Sequence, residues 1–265
     1  MGKRSSYVPG TFSWVDLGTT DPDDAKRFYG ALFGWEFTDQ DAGGGDTYTE
    51  ASIDGDAVAG IYSQPEQQRA AGVPPFWFSY VTVESADAAA ARAGELAGNV
   101  HAEPFDVLEA GRMAVIADPT GAMLGVWEPR GSIGARRVND PGCLTSNELS
   151  TNDVAAAIDF YSALFGWRIE PVETGGGPPY WLINHDGAAE GQNGGMRELA
   201  REQEGVPPHW MPYFTVASAD EGIARASDSG GTGLAGPVDI PAGRIAIVRD
   251  PQGAIFGIFE GDVDD

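Results

Sequence analysis

Apolar and polar residues alternate with a period of two in short runs along the chain, which is typical of β-strands with one covered face. Turn signals separate the runs, for example the glycine triplet at 43–45 and Asp54-Gly55. A sheet-rich protein with short strands is therefore expected. In the first half the predicted strands are 12–17, 35–38, 47–52, 57–62, 76–83, 100–103, 112–117 and 123–127.

The stretch between the first two strands follows a helical period instead. Asp21 is a favourable N-cap, Pro22 suits the first helical position, and Gly34 suits a left-handed C-terminal stop. These signals predict a helix over 22–33, and an alanine-rich helix is predicted over 86–96. The buried face of the first helix is predicted to carry Ala25, Phe28, Tyr29, Leu32 and Phe33.

An aromatic octapeptide occurs twice, at 28–35 and at 160–167, with one substitution in eight positions. The second copy is predicted to end a helix that opens at Asn152 or Asp153 and stops at Gly166. The chain is therefore interpreted as a tandem duplication. Other recurring pairs are 72–75 with 205–208, 85–87 with 218–220, the glycine triplets 43–45 and 175–177, and Asp118-Pro-Thr-Gly-Ala122 with Asp250-Pro-Gln-Gly-Ala254.

Each half of the duplication contains the order β-α-β-β-β twice, so the predicted fold class is α+β with four βαβββ modules. The first domain is predicted over 1–129 and the second over 143–265. Residues 130–142 have little periodicity and are predicted to be the linker between them. The predicted modules are 12–62, 76–128, 143–197 and 209–260.

Composition narrows the possible partners. The net charge of −24 repels phosphate backbones and anionic membranes, so neither nucleic acid nor a membrane is an expected partner. No apolar run approaches the roughly 20 residues that a membrane helix needs. A lone cysteine, Cys143, precludes an intramolecular disulfide and fits a cytoplasmic location. Cationic small molecules are attracted to such an acidic surface.

The element order, the Phe-Tyr…Leu-Phe-Gly-Trp helix ends and the Asp-Pro-X-Gly-Ala turns resemble the vicinal oxygen chelate superfamily. That superfamily includes glyoxalase I, extradiol dioxygenases and bleomycin-binding proteins. The resemblance covers about residues 12–128 and 143–260, and in detail the chain is similar to two-domain actinobacterial members. It implies paired βαβββ modules whose sheets form a half-open cavity, with helices on the outer face.

Enzymes of this superfamily hold a divalent metal with His or Glu at set places on the strands. None of the residues that the resemblance puts at those places offers the imidazole or carboxylate that such an ion needs. We therefore expect neither a metal nor another cofactor. The places are occupied by Trp14, Phe78 and Gly125 in the first half and by Ser146, Met211 and Gly257 in the second.

Two carboxylates lie close to these positions. Asp16 and Glu148 each follow the first of them by two residues and so share its strand face. His209 falls on the corresponding face of the second half, which makes Glu148 and His209 a candidate pair. Two ligands without a third make a weak metal site, so all three side chains are instead candidate catalytic groups. His101 and His185 are predicted to be surface residues.

Alternation also predicts which large side chains line the two cavities. A concave aromatic surface with one carboxylate suits a flat or cationic organic ligand. The other interpretation is that the same residues close the sheets as ordinary core, with the carboxylates at a wet rim. The predicted lining is Phe12, Trp14, Phe78, Tyr80, Met123 and Trp127 in the first cavity and Leu144, Met211, Tyr213, Ile255 and Phe259 in the second, while Val15, Leu17, Val81 and Val83 face the helices.

Two further features have a structural and a functional interpretation. Arg112 and Arg244 recur at matched strand positions and either pair with a nearby carboxylate, which we favour, or hold an anionic ligand. Cys143 precedes a strand without a neighbouring histidine and is expected to be structural.

Taken as a whole, the sequence favours a metal-independent protein that binds a small aromatic or cationic molecule, for sequestration, resistance or sensing. One alternative is a glyoxalase-like lyase or isomerase acting on methylglyoxal or its thiol adduct, with a dioxygenase less favoured. Another is a catalytically silent scaffold or antigen. A monomer with paired domains or a homodimer is expected. The predicted ligand-binding residues are Trp14, Asp16, Phe78, Tyr80, Trp127, Glu148, Met211, Tyr213 and Phe259.

Overall fold

The computed structural model describes residues 2–185, 192–200, 203 and 205–261. The first half contains the helices α1 (Pro22–Phe33), α2 (Glu66–Ala70) and α3 (Ala86–Glu95). Its strands are β1 (Phe12–Thr19), β2 (Glu36–Gly43), β3 (Asp46–Ile53), β4 (Asp56–Ser63), β5 (Phe76–Thr82), β6 (Asn99–Val107), β7 (Gly111–Ala117) and β8 (Met123–Pro129).

The second half repeats this order, with helices α4 (Val154–Phe165) and α5 (Ala219–Asp228). Its strands are β9 (Leu144–Thr151), β10 (Arg168–Val172), β11 (Tyr180–Asn184), β12 (Gln192–Glu198), β13 (His209–Thr215), β14 (Thr232–Ile240), β15 (Gly243–Arg249) and β16 (Ile255–Gly261).

Each half forms one eight-stranded curled sheet. The strand order is β2-β3-β4-β1-β5-β8-β7-β6 in the first sheet and β10-β11-β12-β9-β13-β16-β15-β14 in the second. Two βαβββ modules join in each sheet where β1 pairs antiparallel with β5 and β9 with β13. The predicted α+β class with four such modules is confirmed. The proposed division at 130–142 remains a prediction, and residue 1 and residues 262–265 lie outside the described part.

Local capping chemistry fixes both aromatic helices as predicted. The Asp21 carboxylate accepts a hydrogen bond from the backbone N–H of Asp24, and α1 stops at Gly34 with a φ of 75°. The second helix uses Asp153 in the same way and stops at Gly166 with a φ of 73°. Such left-handed stops favour glycine because a Cβ is strained there. The helix predicted over 22–33 is confirmed.

The predicted elements fall short in two places. Strand β6 continues through Pro104 to Val107, with two register shifts against β7. Proline is tolerated because β6 is an edge strand whose outer backbone groups face away from the sheet. The short helix α2 lies between the predicted strands 57–62 and 76–83, where no helix was predicted, and none of its residues is buried.

The repeated aromatic helices form the contact between the two sheets. The Tyr29 hydroxyl donates to Asp250 Oδ2 at 3.0 Å and accepts from Trp77 Nε1 at 3.0 Å. The duplication repeats this contact with the two halves exchanged. Trp210 Nε1 donates to the Tyr161 hydroxyl at 2.9 Å, and that hydroxyl lies beside Asp118. The octapeptide of one half therefore meets the Asp-Pro-X-Gly turn of the other half.

Two β-bulges change which side chains face the concave side. The pairing of β1 with β5 shifts between Phe12 and Trp14, so Phe12 turns to the opposite face and packs on Trp167 and Trp210. A matching shift in β9 places Leu144 in the buried core beside Phe214. The prediction that Phe12 and Leu144 line the cavities is therefore wrong. Val15, Leu17, Val81 and Val83 do lie in the buried core.

Within the described residues, no helix is both long enough and apolar enough to cross a membrane.

Candidate ligand sites on the two concave faces

Asp16 lies at the centre of the first sheet, with Gly60 of β4 on one side and Phe78 of β5 on the other. Its side chain is almost wholly covered, at 5% exposure. The Tyr80 hydroxyl donates to Asp16 Oδ2 at 3.0 Å, whereas the buried Oδ1 has no hydrogen-bond partner. A buried acceptor without a partner is costly, so this oxygen lacks a compensating hydrogen bond from the described residues.

Tyrosine side chains surround the Asp16 carboxyl. Tyr48 and Tyr62 are opposite each other on β3 and β4, and the Tyr48 hydroxyl accepts from Trp14 Nε1 at 2.9 Å. The Tyr48 side chain fits here because residue 60 is a glycine. A Cβ at that position would lie 1.9 Å from the Tyr48 hydroxyl oxygen. We call Trp14, Asp16, Tyr48, Tyr62, Phe78, Tyr80 and Trp127 the first concave face.

Burial raises the pKa of Asp16 to about 7, and the Tyr80 hydrogen bond opposes that rise only in part. Among the residues that the structure describes, no basic side chain contributes to the pKa of Asp16. Burial also raises the pKa of Tyr48, Tyr62 and Tyr80, and the Asp16 charge raises each of them further. The site therefore carries an uncompensated acidic group that is partly protonated at neutral pH.

Three rings at the edge of this face stay partly exposed, namely Trp14, Phe78 and Trp127. Phe78 meets Tyr80 edge to face, with ring centroids 5.2 Å apart. Trp127 is held by its indole N–H, which donates to the Ser132 carbonyl at 3.0 Å. The first concave face thus combines a buried acidic floor with accessible aromatic walls.

The second concave face is built on the same plan around Glu148. Arg197 Nε donates to Glu148 Oε1 at 2.9 Å, and the Tyr213 hydroxyl donates to the same oxygen at 3.4 Å. The Tyr180 side chain passes over Gly195, as the Tyr48 side chain passes over Gly60. A Cβ on Gly195 would lie 1.9 Å from the Tyr180 hydroxyl oxygen. Here the buried carboxylate has a cationic partner.

The predicted walls of the second concave face are more enclosed than those of the first. Met211, Tyr213 and Phe259 are all buried. This arrangement agrees with the ordinary-core interpretation for the second half, whereas the exposed rings of the first half agree with a binding surface. The second concave face comprises Ser146, Glu148, Tyr180, Arg197, Met211, Tyr213 and Phe259.

The histidines do not complete a site. His209 Nδ1 lies 2.9 Å from the Pro207 carbonyl, whereas Glu148 is hydrogen-bonded to Arg197, Tyr213 and Tyr180. His101 is exposed as predicted. His185 is buried, contrary to prediction, because it packs against Gly10 from the other half of the chain.

The positions that hold a metal in the superfamily's enzymes do not fit one here. A side chain at Gly125 would collide with the Tyr80 ring, 2.2 Å from the added Cβ, and Gly257 is covered by Tyr213 in the same way. Across the described ranges, no three His, Cys, Asp or Glu side chains form a group that could hold a metal ion. Trp14, Phe78, Ser146 and Met211 supply no suitable donor.

Sequence reasoning missed four residues of these faces: Tyr48, Tyr62, Tyr180 and Arg197. Tyr48 and Tyr180 recur at matched positions, and this signal could have placed them beside the carboxylates. Arg197 gave no such signal, because the corresponding residue of the first half is Tyr62.

The remaining candidates have structural partners. Arg112 pairs with Asp87 and Asp106, and Arg244 pairs with Asp220, Asp239 and Glu260, as favoured from the sequence. Cys143 is fully buried, and burial raises the pKa of its thiol to about 12. That environment suits a structural residue rather than a nucleophile.

The two sheets of paired βαβββ modules agree with a known superfamily. The chain matches the model of the Glyoxalase/Bleomycin resistance protein/Dioxygenase superfamily over residues 11–126 and 144–258, and it belongs to that superfamily. Members of this superfamily bind small-molecule ligands.

Individual relatives span nearly the whole chain. "Putative glyoxylase CFP32" of Mycobacterium tuberculosis is 42% identical over 98% of this chain and 98% of its own. The anthracycline biosynthesis protein DnrV of Streptomyces peucetius is 36% identical over 96% of this chain and 94% of its own. The Mn(II)-bound glyoxalase of Novosphingobium aromaticivorans shares the fold, with a TM-score of 0.65 at 15% identity, over 95% of this chain and 82% of its own.

Proposed function

We propose that the chain is a metal-independent small-molecule-binding protein whose first concave face takes an aromatic compound that carries a positive charge. The observation that carries this proposal is Asp16, a buried carboxyl whose Oδ1 has no hydrogen-bond partner and which has no basic neighbour within the described part of the chain. Sequestration, resistance or sensing is the corresponding role.

A cationic ligand would relieve the electrostatic cost of this site. An ammonium group beside Oδ1 would supply the missing hydrogen bond and favour the ionised carboxylate. The partly exposed rings of Trp14, Phe78 and Trp127 would stack on the flat part of the ligand or face its charge. The net charge of −24 would concentrate such cations near the protein.

The Streptomyces relatives add support for a flat ligand, because they are named for anthracycline biosynthesis. Anthracyclines that carry an amino sugar combine fused rings with a positive charge. They are therefore suitable probes for both properties of the first concave face.

Isothermal titration calorimetry with daunorubicin, an amine-bearing anthracycline, tests the proposal, and its uncharged N-acetyl form is the matched ligand control. We expect Asp16→Asn to weaken daunorubicin binding by about 30-fold, since losing one partner of a desolvated charge pair costs about 2 kcal/mol or more. Glu148→Gln is the matched control variant and should leave the affinity within about twofold.

Equal affinity for the charged and acetylated forms would contradict the charge-based part of the proposal. Equal affinity of wild type and Asp16→Asn would show that Asp16 does not take part in binding daunorubicin. Failure to bind below about 1 mM would reject this ligand class.

The affinity should also depend on pH. Because the cation binds the ionised carboxylate and burial raises the pKa of Asp16 to about 7, affinity should fall as pH falls below 7. Between pH 8 and pH 6 the ionised fraction drops about tenfold, and daunorubicin binding should weaken by about the same factor. Asp16→Asn should show no such dependence.

A glyoxalase-like lyase or isomerase is the second candidate. It is favoured by the pKa of about 7 at Asp16, which suits a general base, and by the name of the mycobacterial relatives. Turnover of methylglyoxal, with and without a thiol, tests it. If wild type and Glu148→Gln turn over methylglyoxal but Asp16→Asn does not, the lyase or isomerase is favoured over simple binding.

A further inference from the structure

A second carboxylate, that of Glu50, borders the first concave face two strands away from Asp16. Asp16 of β1 is directly opposite Gly60 of β4, and Gly60 is directly opposite Glu50 of β3. Residues opposite each other on neighbouring strands point to the same side of a sheet, so Glu50 lies on the same side as Asp16. Two strand spacings put their Cα atoms about 10 Å apart.

The surroundings of Glu50 support this placement. Its chain neighbours Thr49 and Ala51 are buried on the helix side of the sheet, whereas Glu50 is only half-buried and points the other way. The Glu50 charge raises the pKa of Tyr48, whose hydroxyl lies over Gly60. That hydroxyl therefore lies between the two carboxylates.

The second half has a leucine at the place of this second carboxylate. Glu148 is opposite Gly195 of β12, and Gly195 is opposite Leu182 of β11, so Leu182 corresponds to Glu50. Arg197 also pairs with Glu148 there. The row across the second sheet thus holds one carboxylate with a cationic partner, whereas the row across the first sheet holds two carboxylates.

Neither Asp16 nor Glu50 has a basic partner within the described ranges of the chain. Asp16 is 5% exposed, and its Oδ1 has no hydrogen-bond partner. A ligand with one positive charge can pair with only one of these carboxylates. A second positive group about two strand widths further on would pair with the other.

The aromatic walls and Glu50 lie on opposite sides of Asp16. The strand order is β3-β4-β1-β5-β8, with Glu50 on β3, Phe78 on β5 and Trp127 on β8. A ligand that stacks on these rings and places one charge at Asp16 therefore extends its other end over Gly60 toward Glu50. The order of groups along the ligand follows from the order of the strands.

We propose that the first concave face takes a dication, in which a flat ring system is followed by one amine at Asp16 and a second amine at Glu50, about 10 Å further on. This inference rests on the proposed function and specifies its ligand class. Glu50 is then the residue that distinguishes dications from compounds with a single charge.

The probe is hexane-diamine that carries a naphthylmethyl group on one nitrogen. The matched ligand control is naphthylmethyl-hexylamine, which has the same rings and the first amine but no second one. Isothermal titration calorimetry at pH 8 keeps Asp16 largely ionised, since its pKa is about 7. Wild type should bind the diamine about fivefold more tightly than the monoamine, as expected for one partly exposed ion pair.

Glu50→Gln should weaken diamine binding about fivefold and change monoamine binding by less than about twofold. Glu170→Gln is the matched control variant, because it removes one negative charge at the position opposite Leu182 in the second half. It should leave both affinities within about twofold. Asp16→Asn should weaken both compounds. Thermal unfolding of the Glu50 and Glu170 variants checks that they remain folded.

The spacer separates a specific pairing from general attraction to an acidic protein. The propane-diamine analogue carries the same two charges, but its second nitrogen is too close to the first to reach Glu50. It should bind like the monoamine. An equal gain for both diamines, or a gain that Glu50→Gln leaves intact, would overturn the inference.

The failure of this inference and that of the proposed function are distinguishable. Equal binding of the hexane-diamine and the monoamine, both weakened by Asp16→Asn, would overturn the role of Glu50 and leave the proposed function standing. Failure of every amine to bind below about 1 mM, or binding that Asp16→Asn does not change, would overturn both.

Discussion

The two concave faces differ at several positions, and one of these lies directly beside the central carboxylate. Glu148 accepts from Arg197 at 2.9 Å, whereas Asp16 has Tyr62 at the corresponding place and no basic partner among the described residues. The surrounding plan is otherwise similar, with a tyrosine crossing a glycine in each face. The comparison shows how one duplicated scaffold holds a buried carboxylate either beside a guanidinium group or beside tyrosine hydroxyls.

A large effect is expected at the second concave face, where the buried carboxylate has a cationic partner. Arg197→Met should lower the free energy of unfolding by about 3 kcal/mol at pH 7, because it leaves the buried Glu148 charge without its partner. Arg197 is 30% exposed, so the loss should fall at the lower end for such pairs. Urea denaturation measures it.

The double variant Glu148→Gln with Arg197→Met is the control for that experiment. It should recover most of the lost stability, since no unpaired charge remains. If the double variant is as unstable as Arg197→Met alone, lost packing rather than charge explains the effect.

A larger effect concerns the first concave face. The pKa of Asp16 is raised to about 7 in the fold and lies near 3.9 in an unfolded chain. Its contribution to stability is therefore fully present below about pH 4 and is lost as pH rises through 7. Because a shift of about three pKa units corresponds to about 4 kcal/mol, Asp16→Asn should be more stable than wild type by about that amount at pH 8 and equal to it near pH 4.

The measurement is the difference in unfolding free energy between wild type and Asp16→Asn across that pH range, because other groups cancel in the difference. A constant difference from pH 4 to pH 8 would contradict the raised pKa.

Placing an arginine at the position beside the carboxylate should give the first concave face the ion pair of the second. Tyr62→Arg places a guanidinium where Arg197 stands in the second half, and it should lower the pKa of Asp16. Daunorubicin binding should then weaken about tenfold, and its pH dependence should shift to more acidic values. The calorimetric titration at pH 8 and pH 6 checks both expectations, and Tyr62→Phe is the control for loss of the hydroxyl.

The smallest expected change in stability comes from removing either of two tyrosine hydrogen bonds. The Tyr80 hydroxyl lies 3.0 Å from Asp16 Oδ2, whereas the Tyr213 hydroxyl lies 3.4 Å from Glu148 Oε1. Tyr80→Phe should cost about 1 kcal/mol of stability at pH 8, and Tyr213→Phe only a few tenths. Thermal unfolding of the two variants measures the difference, and a larger loss for Tyr213→Phe would contradict the distances.

The fold could be predicted from the sequence because its signals are local and occur twice. Capping residues set α1 and α4, and the octapeptide and the Asp-Pro-X-Gly turns revealed the duplication. The contact between Tyr29 and Asp250 could not be predicted, since it joins residues 221 positions apart.

The candidate site could be predicted in part. Asp16 and Glu148 were found because alternation places them beside the superfamily's metal positions. Phe12 was misplaced because a bulge after it reverses the alternation, and a bulge leaves no clear mark in the sequence. Arg197 was missed because it lies on β12, and β12 comes next to Glu148 only through its parallel pairing with β9.

The most direct test of the account is a ¹³C NMR titration of the Asp16 carboxyl in wild type, without ligand and with daunorubicin. The account predicts a midpoint near pH 7 without ligand and a fall of about one pH unit or more on saturation with the cation. A midpoint near pH 4 without ligand, or one that the cation does not move, would contradict an open acidic site on the first concave face.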